Sequence, residues 1–310
     1  MSESGCLNSV ELARKFVTIG EEKAALPLGK TLLLAILAGA YIGFGAHLAT
    51  SVSTGNGELY GITKLISGGV FSVGLMLVVI AGAELFTGNN MMTMALCSRR
   101  VSPWGVLGNW GLVYAGNLAG SIFLALIVAW GSGLLAGPVG GTAIKIAAAK
   151  VSVEGVGGVG HNFAFFLRGI ACNWLVCLAL VMAAASRDVT GKILAIFFPI
   201  MAFVASGFEH SIANMYFIPA GIFAAKCEAA RVASGLSAEQ LAGINWTSMW
   251  TENLISVTLG NIVGGGIFAG MAYFWLHLRG ADKESPCSNG ATPNREGQEL
   301  LARFFFFVLQ

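Results

Sequence analysis

The sequence predicts an all-α membrane protein with six transmembrane helices, arranged as an inverted repeat of three plus three, in which helices two and five are interrupted. Three observations support this fold class: the composition, the number of long apolar segments and an internal duplication. Of the 310 residues, 55% are hydrophobic and only 11% are charged. Because about a quarter of the residues in a soluble domain are charged, we expect the lipid bilayer to be the solvent.

Six segments are long enough to cross a bilayer, which takes about 20 mostly apolar residues. They are 31–52, 65–96, 106–135, 163–185, 193–225 and 254–276. These limits predict three parts of the chain. They are an N-terminal segment over 1–29, a six-helix transmembrane channel domain over 30–278, and a polar tail over 279–310 that we expect to be disordered.

The positive charges predict the orientation of the chain. Most of the 18 lysines and arginines lie before the first span, between spans two and three, between spans four and five, or after the last span. Cytoplasmic loops carry the excess of Lys and Arg, so we expect a multi-pass protein of the inner cell membrane with both termini in the cytoplasm. A net charge of +2 gives no reason to expect nucleic acid as a partner.

Spans two and five each carry a glutamate far from either end, Glu84 and Glu209. A charged side chain at the centre of a spanning helix costs roughly 2.5 to 3.5 kcal/mol, so it usually faces a cavity or holds irregular backbone. Both spans are also longer than a straight crossing requires. We therefore expect both helices to break at these glutamates.

An internal duplication relates the two glutamates. The stretch GAELFTGN at 82–89 and the stretch GFEHSIAN at 207–214 share Gly, Glu and Asn at the same offsets, which aligns Asn89 with Asn214. We expect both glutamates and both asparagines to support the helix breaks.

A second motif, Gly-Asn-x-x-Gly, follows at 116–120 and again at 260–264. With three spans in each half, the two halves must have opposite orientations. This plan is typical of membrane proteins whose broken helices meet near the midplane of the bilayer.

His210 lies on the second predicted break, in the middle of an apolar span. Imidazole donates hydrogen bonds and can exchange a proton near neutral pH. The ends of interrupted helices present backbone N–H groups and the positive end of the helix dipole. The break is therefore expected to line a pore for an anion or a polar neutral solute.

Four segments resemble the formate/nitrite transporter family. They are GAELFTG at 82–88, CNWLVCL at 172–178, ASGFEHSIANM at 205–215 and VTLGNIVGGG at 257–266. The resemblance covers roughly residues 10 to 278, and the segment around His210 is its most specific part. It implies an aquaporin-like six-helix protomer, assembled as a homopentamer with one pore in each protomer.

The resemblance also implies roles for individual residues. Thr87 and His210 would contact the permeating anion, and Asn173 and Asn261 would hold the histidine and the loop around Thr87. Lys150 would attract the anion in a vestibule. Narrow apolar constrictions would be formed by Phe71, Leu75, Leu85, Phe86, Val176 and Phe203. Such constrictions oppose a hydrated ion, so we expect the anion to acquire a proton, directly from His210 or through water, and to cross as the neutral acid or in proton-linked form.

One feature departs from the family pattern. Lys150 lies further from Asn173 than the corresponding lysine usually lies from its asparagine. A glycine-rich insertion over 154–160 would account for the difference, and it leaves the position of Lys150 open.

Formate is the expected substrate, nitrite the next, and hydrosulfide or another small weak-acid anion the third. An aquaporin-class channel for neutral solutes would carry Asn-Pro-Ala at both half-helix starts, whereas this chain has NNM at 89–91 and NMY at 214–216. An ammonium channel would have paired pore histidines and about eleven spans. An enzyme is not expected, because the spans show no nucleophile, metal cluster or cofactor motif; we expect neither a metal nor a cofactor.

Overall fold

The computed structural model describes residues 7–55, 59–151 and 160–279. Helices account for nearly all of these residues. The predicted insertion lies outside the described residues apart from Gly160, and so does the predicted tail apart from Arg279.

The helices are numbered in chain order. They are α1 (Ser9–Ala25), α2 (Leu28–Ser53), α3 (Tyr60–Met76), α4 (Phe86–Asn89), α5 (Thr93–Cys97), α6 (Pro103–Leu126), α7 (Pro138–Val151), α8 (His161–Ala185), α9 (Val189–Ala205), α10 (Ser211–Ala224), α11 (Glu228–Ser234), α12 (Ala238–Gly243), α13 (Trp246–Ser248), α14 (Ile255–Ile262) and α15 (Ala272–His277). Wider π-helical turns extend α3 over Leu77–Gly82 and α6 over Ile127–Gly131, and flank α14 over Met249–Leu254 and Val263–Met271. A 3₁₀ turn, Asn90–Met92, joins α4 to α5.

The six predicted spans are present. Five helices are long and apolar enough to cross a membrane: Leu28–Ser53, Tyr60–Gly82, Pro103–Gly131, His161–Ala185 and Trp246–His277. The fifth span consists of two shorter apolar helices, α9 and α10, in succession. Several predicted limits were wrong by a few residues, and the last span begins at Trp246, eight residues before the predicted start at residue 254.

Spans two and five are interrupted as predicted. The break in span two follows Gly82, whose φ is +84°, and the break in span five contains Gly207, whose φ is +76°. Glycine is the residue that adopts positive φ without steric cost. The glycine of each aligned Gly-x-Glu motif is therefore the point at which the chain leaves the helix.

Five helices of the described chain lie outside the predicted spans: α1, α7, α11, α12 and α13. Two of them, α1 and α7, take matching places in the two halves. Helix α1 lies in the N-terminal segment and buries Leu12, Ala13 and Phe16 against the end of span two and the end of span four. Helix α7 follows the third span and packs against α10 and α11. Each precedes the first spanning helix of one half, so the repeat has four elements in each half rather than three.

Glycines bring the spanning helices into close contact. Helix α6 packs on α2, and the π turn after α14 packs on α8. A Cβ atom at Gly120 would overlap the carbonyl oxygen of Ile36, and one at Gly264 would overlap that of Ile170. Helices in membranes approach closely where such small residues face each other, so the Gly-Asn-x-x-Gly motif positions the helices that carry Asn117 and Asn261.

Candidate functional site

The break in span two is built around Glu84. Its side chain is almost fully buried, and Oε1 accepts a hydrogen bond from Lys23 Nζ of α1 at 2.6 Å. The other oxygen, Oε2, accepts from Asn89 Nδ2 at 2.7 Å. The same amide of Asn89 donates to Asn109 Oδ1 at 2.8 Å. A buried charge is tolerated when it is paired and hydrogen-bonded, and Lys23 and Asn89 meet both conditions.

The break in span five repeats this arrangement. Glu209 is equally buried, and its Oε2 accepts from Lys150 Nζ of α7 at 2.9 Å and from Asn214 Nδ2 at 2.6 Å. Asn214 then donates to Asn253 Oδ1 at 2.7 Å. The position of Lys150, which the sequence left open, is thus beside Glu209, and Lys150 corresponds to Lys23 in the other half.

Asn117 holds the interrupted backbone of span two. Its Oδ1 accepts the N–H of Phe86, the first residue of α4, at 2.9 Å. Its Nδ2 donates to the carbonyl oxygens of Ala35 and Glu84 at 2.8 and 2.9 Å. One carboxamide therefore satisfies backbone groups on both sides of Leu85 and ties them to α2.

Asn261 does the same in span five. Its Oδ1 accepts the N–H of Ser211 at 2.9 Å, and its Nδ2 donates to the carbonyl oxygens of Gly169 and Glu209 at 2.8 and 2.9 Å. The first N–H of each half-helix is therefore capped by a side chain. The sequence-based expectation that these helix ends present free N–H groups was wrong at these two positions, because buried donors are paired wherever a partner can reach them.

Thr87 and His210 meet between the two breaks. Thr87 Oγ1 lies 2.9 Å from His210 Nε2, and both side chains are buried. Thr87 belongs to α4, and His210 is the N-cap residue of α10. The pair therefore joins the half-helix of one repeat to the half-helix of the other.

The hydrogen bonds of His210 assign its tautomer. The N–H of Ala213 donates to His210 Nδ1 at 3.0 Å, so Nδ1 is an acceptor and carries no proton. In the neutral ring the proton is then on Nε2, which donates to Thr87 Oγ1. The Thr87 hydroxyl hydrogen is left available for another acceptor.

Asn173 holds the backbone on the Thr87 side of the pair. Its Nδ2 lies 3.2 Å from the carbonyl oxygen of Thr87 and 2.7 Å from that of Asn261, and it also donates to Asn90 Oδ1 at 2.8 Å. The two expected supporting asparagines thus act on backbone next to the pair: Asn173 on Thr87 itself, and Asn261 on the residues before and after His210.

Two cavities lead towards the pair from opposite ends of α3 and α9. We call the first the α1 vestibule; its volume is about 450 Å³, and Lys23, Glu84, Leu75 and Leu85 contribute to its lining. The second, the α7 vestibule, has a volume of about 320 Å³. The lining of the α7 vestibule includes Lys150, Glu209, His210, Phe71 and Phe203.

The expected constriction residues are divided between these cavities and the core. In the α7 vestibule the rings of Phe71 and Phe203 meet edge to face with centroids 5.7 Å apart, and Phe203 stacks on His210 at 5.9 Å. Val176 is buried and lines neither cavity. Phe86 also lines neither, and its ring packs on Tyr114 with centroids 5.0 Å apart.

Sequence reasoning missed Lys23, Asn109 and Asn253. The two asparagines had a signal, because each precedes the asparagine of its Gly-Asn-x-x-Gly motif by the same interval. Extending the alignment of the two halves would have paired them. Lys23 had no such signal, since it lies before the first span in a segment whose helix was not predicted.

Comparison with known proteins agrees with this geometry. The profile described as "Formate/nitrite transporter" matches residues 10–275. The chain belongs to the formate/nitrite transporter family. This membership confirms the expected class, a membrane transport protein rather than an enzyme.

Individual relatives extend along most of the chain. A "Probable formate transporter" of Methanothermobacter thermautotrophicus is 44% identical over 87% of this chain and 96% of its own length. The "Formate channel FocA" of Escherichia coli (strain K12) is 38% identical over 82% of this chain and 88% of its own. A solved "Pentameric formate channel with formate bound" matches with a TM-score of 0.71 at 38% identity, over 81% of this chain and 98% of that one. The six-helix family fold with two interrupted helices is thereby confirmed.

The charge pairs at the breaks predict a double-mutant result. Lys150→Met leaves the buried carboxylate of Glu209 without its partner, and we expect it to lower the free energy of unfolding by roughly 3 kcal/mol. Glu209→Gln leaves the partly exposed ammonium of Lys150, which lines the α7 vestibule, and should cost less. The double variant, which removes both charges, should cost much less than the sum. Thermal unfolding of the detergent-solubilised protein measures all three.

The solvent-exposed pair of Arg100 and Glu21 is the matched control, where single substitutions should change the free energy of unfolding very little. The Lys23 and Glu84 pair should repeat the pattern of Lys150 and Glu209. Additive effects at either buried pair would contradict this interpretation.

Proposed function

We propose that the chain conducts a small monovalent weak-acid anion, with formate as the first candidate substrate. The observation that carries the proposal is the hydrogen-bonded pair of Thr87 and His210, which lies between two vestibules and is contributed by both half-helices. The proposal also rests on the relatives, two of which bear formate in their names.

The path through the protein alternates between polar and apolar surroundings. Each vestibule is lined by a Lys–Glu pair and by apolar side chains. The apolar side chains include Leu75 and Leu85 on one side and Phe71 and Phe203 on the other. A hydrated ion would lose its water there without replacement, at a large free-energy cost. A small acid that travels neutral, or that gains a proton near the centre, avoids most of that cost.

At the centre, Thr87 and His210 would replace part of the lost hydration. The Nε2 proton of His210 holds Thr87 Oγ1 as an acceptor, so the hydroxyl hydrogen of Thr87 can point to the oxygen of a passing carboxylate. This favours a solute with strong acceptors over one that only donates.

The tautomer constrains how a proton reaches the substrate. A neutral His210 that gave up its Nε2 proton would become an imidazolate, and protonation at Nδ1 would break the hydrogen bond from Ala213. We therefore propose that His210 acts mainly as a hydrogen-bond donor, and that water in the vestibules supplies the proton that accompanies the anion.

Nitrite and hydrosulfide are the alternatives within the same family. Both are small monovalent bases of weak acids, and the proposed path selects for those properties rather than for a carboxylate in particular. An aquaporin-like channel for neutral solutes is a weaker alternative, because both half-helices lack Asn-Pro-Ala and carry NNM at 89–91 and NMY at 214–216 instead.

We also propose a homopentamer in the inner cell membrane, with both termini in the cytoplasm. The pentamer follows the solved relative, and the orientation follows the distribution of Lys and Arg. The proposed parts of the chain remain a cytoplasmic segment over 1–29, the channel over 30–278 and a cytoplasmic tail over 279–310.

Flux into proteoliposomes tests the substrate. We expect formate to pass readily at pH 7, and faster at pH 6 because more of it can cross with a proton. Nitrite and hydrosulfide should be compared under the same conditions, with glycerol as the neutral control. Glycerol flux equal to or above anion flux would contradict the proposal, and faster nitrite than formate would reassign the substrate within the family.

Substitutions at the central pair test the mechanism. His210→Phe and Thr87→Val each remove a hydrogen-bonding group, and we expect formate flux to fall roughly tenfold to a hundredfold, since a hydrogen bond to a charged group is worth about 1.5 to 3 kcal/mol. Thr87→Ser keeps the hydroxyl and should retain most of the flux. His277→Phe, at the end of α15, is the matched histidine control. Unchanged flux in His210→Phe would refute the role given to that side chain.

A further inference from the structure

The two Lys–Glu pairs contribute no net charge to the vestibules, so any net charge there comes from other residues. Lys23 and Lys150 each lie within 3 Å of a glutamate oxygen, and each pair sums to zero. The field of such a close pair falls off steeply with distance. An anion at the mouth of either vestibule would therefore gain little from Lys23 or Lys150.

The α7 vestibule contains a second lysine, Lys64 of α3. Its ammonium lies 5.6 Å from the ring centroid of Tyr60, at the start of the same helix. Within the described ranges, no carboxylate lies within 4 Å of it. Among the described residues of this lining Glu209 is the one acidic side chain and is already paired, so these residues carry one net positive charge, that of Lys64.

The α1 vestibule has an equivalent in Lys192 of α9. Asp188, one turn earlier, uses Oδ1 to cap the N–H of Gly191 at 2.7 Å, and no described carboxylate lies within 4 Å of the Lys192 ammonium. A third lysine of the lining, Lys15, donates to the carbonyl oxygen of Ala184 at 2.9 Å. It is thus held at the negative end of α8, where the helix dipole partly balances it.

Lys64 and Lys192 occupy related places in the fold. Each lies in the first two turns of the helix that leads to a break, α3 in one half and α9 in the other. The two helices run in opposite directions, so the two ammonium groups lie at opposite mouths. Low-dielectric walls focus the field of such a charge into the cavity and raise the local concentration of anions.

We propose that Lys64 and Lys192 provide the anion-attracting charge of the two vestibules, whereas Lys23 and Lys150 serve mainly as counter-charges for Glu84 and Glu209. This inference rests on the proposed anion transport. It assigns the capture of substrate at each membrane face to one lysine that is not part of the break.

A change of ionic strength on one side of the membrane tests this assignment. In a passive channel at low substrate concentration, the permeability is the same in both directions. A comparison of influx with efflux therefore cannot show whether the charge at one mouth has changed. Salt added on one side, however, screens only the mouth on that side, because the Debye length falls from about 30 Å at 0.01 M to about 8 Å at 0.15 M.

The experiment uses the full chain in right-side-out and inverted membrane vesicles, with formate as the probe at one pH. The external salt is raised with a bulky impermeant anion. For the unsubstituted protein we expect permeability to fall roughly threefold in both vesicle types. Lys64→Gln should lose this salt response in one vesicle type only, and Lys192→Gln in the other only.

The controls are Lys145→Gln on the exposed face of α7 and Lys30→Gln at the start of α2, neither of which lines a vestibule. Both should keep the full salt response. A salt response in Lys64→Gln and Lys192→Gln equal to that of the unsubstituted protein would overturn the inference while leaving anion transport intact. Absence of formate, nitrite and hydrosulfide flux in the unsubstituted protein would instead overturn the proposed function itself.

Discussion

The rest of the structure depends on the hydrogen bonds that Asn117 and Asn261 make to interrupted backbone. A break inside a membrane leaves N–H and C=O groups without helical partners, and lipid offers none. Each asparagine bonds two such groups, one N–H and one C=O, and uses its second donor to fix the break to a carbonyl oxygen of a neighbouring helix. Only with both breaks held in this way can the side chains of two different spans meet at the centre.

The two halves of the repeat make equivalent contacts at the two breaks, whereas the central pair of Thr87 and His210 has no equivalent across the repeat. Lys, Glu and Asn occupy matching positions in both halves and make matching contacts at the two breaks. The central pair does not follow the symmetry, because Thr87 aligns with Ile212 and His210 aligns with Leu85. A duplicated scaffold can thus keep its buried charges satisfied while the residues that face the solute differ.

Much of the fold and of the site was predictable from the sequence, and the features that were not predicted have physical reasons. The two helix breaks, the glutamates at them and the central histidine were found from the sequence, because irregular backbone and charge inside an apolar span leave strong signals. Helix α1 carries charged residues along its whole length and α7 has only 14 residues, so hydropathy indicated neither as a span. The capping box of Asn8 and Glu11 was an available signal for α1. The pairing of Lys23 with Glu84 joins residues far apart in the chain, and only the folded structure brings them together.

The most direct test of this account is the formate flux of Asn117→Leu and Asn261→Leu in proteoliposomes, with Asn162→Leu on the exposed face of α8 as the control. Leucine has the same number of side-chain heavy atoms and the same branching as asparagine, but its methyl groups cannot bond the interrupted backbone. The account predicts that both variants still insert as helical proteins and lose most of the flux, while the control retains it. Full flux in either variant would show that the breaks do not need these asparagines and would contradict the central claim.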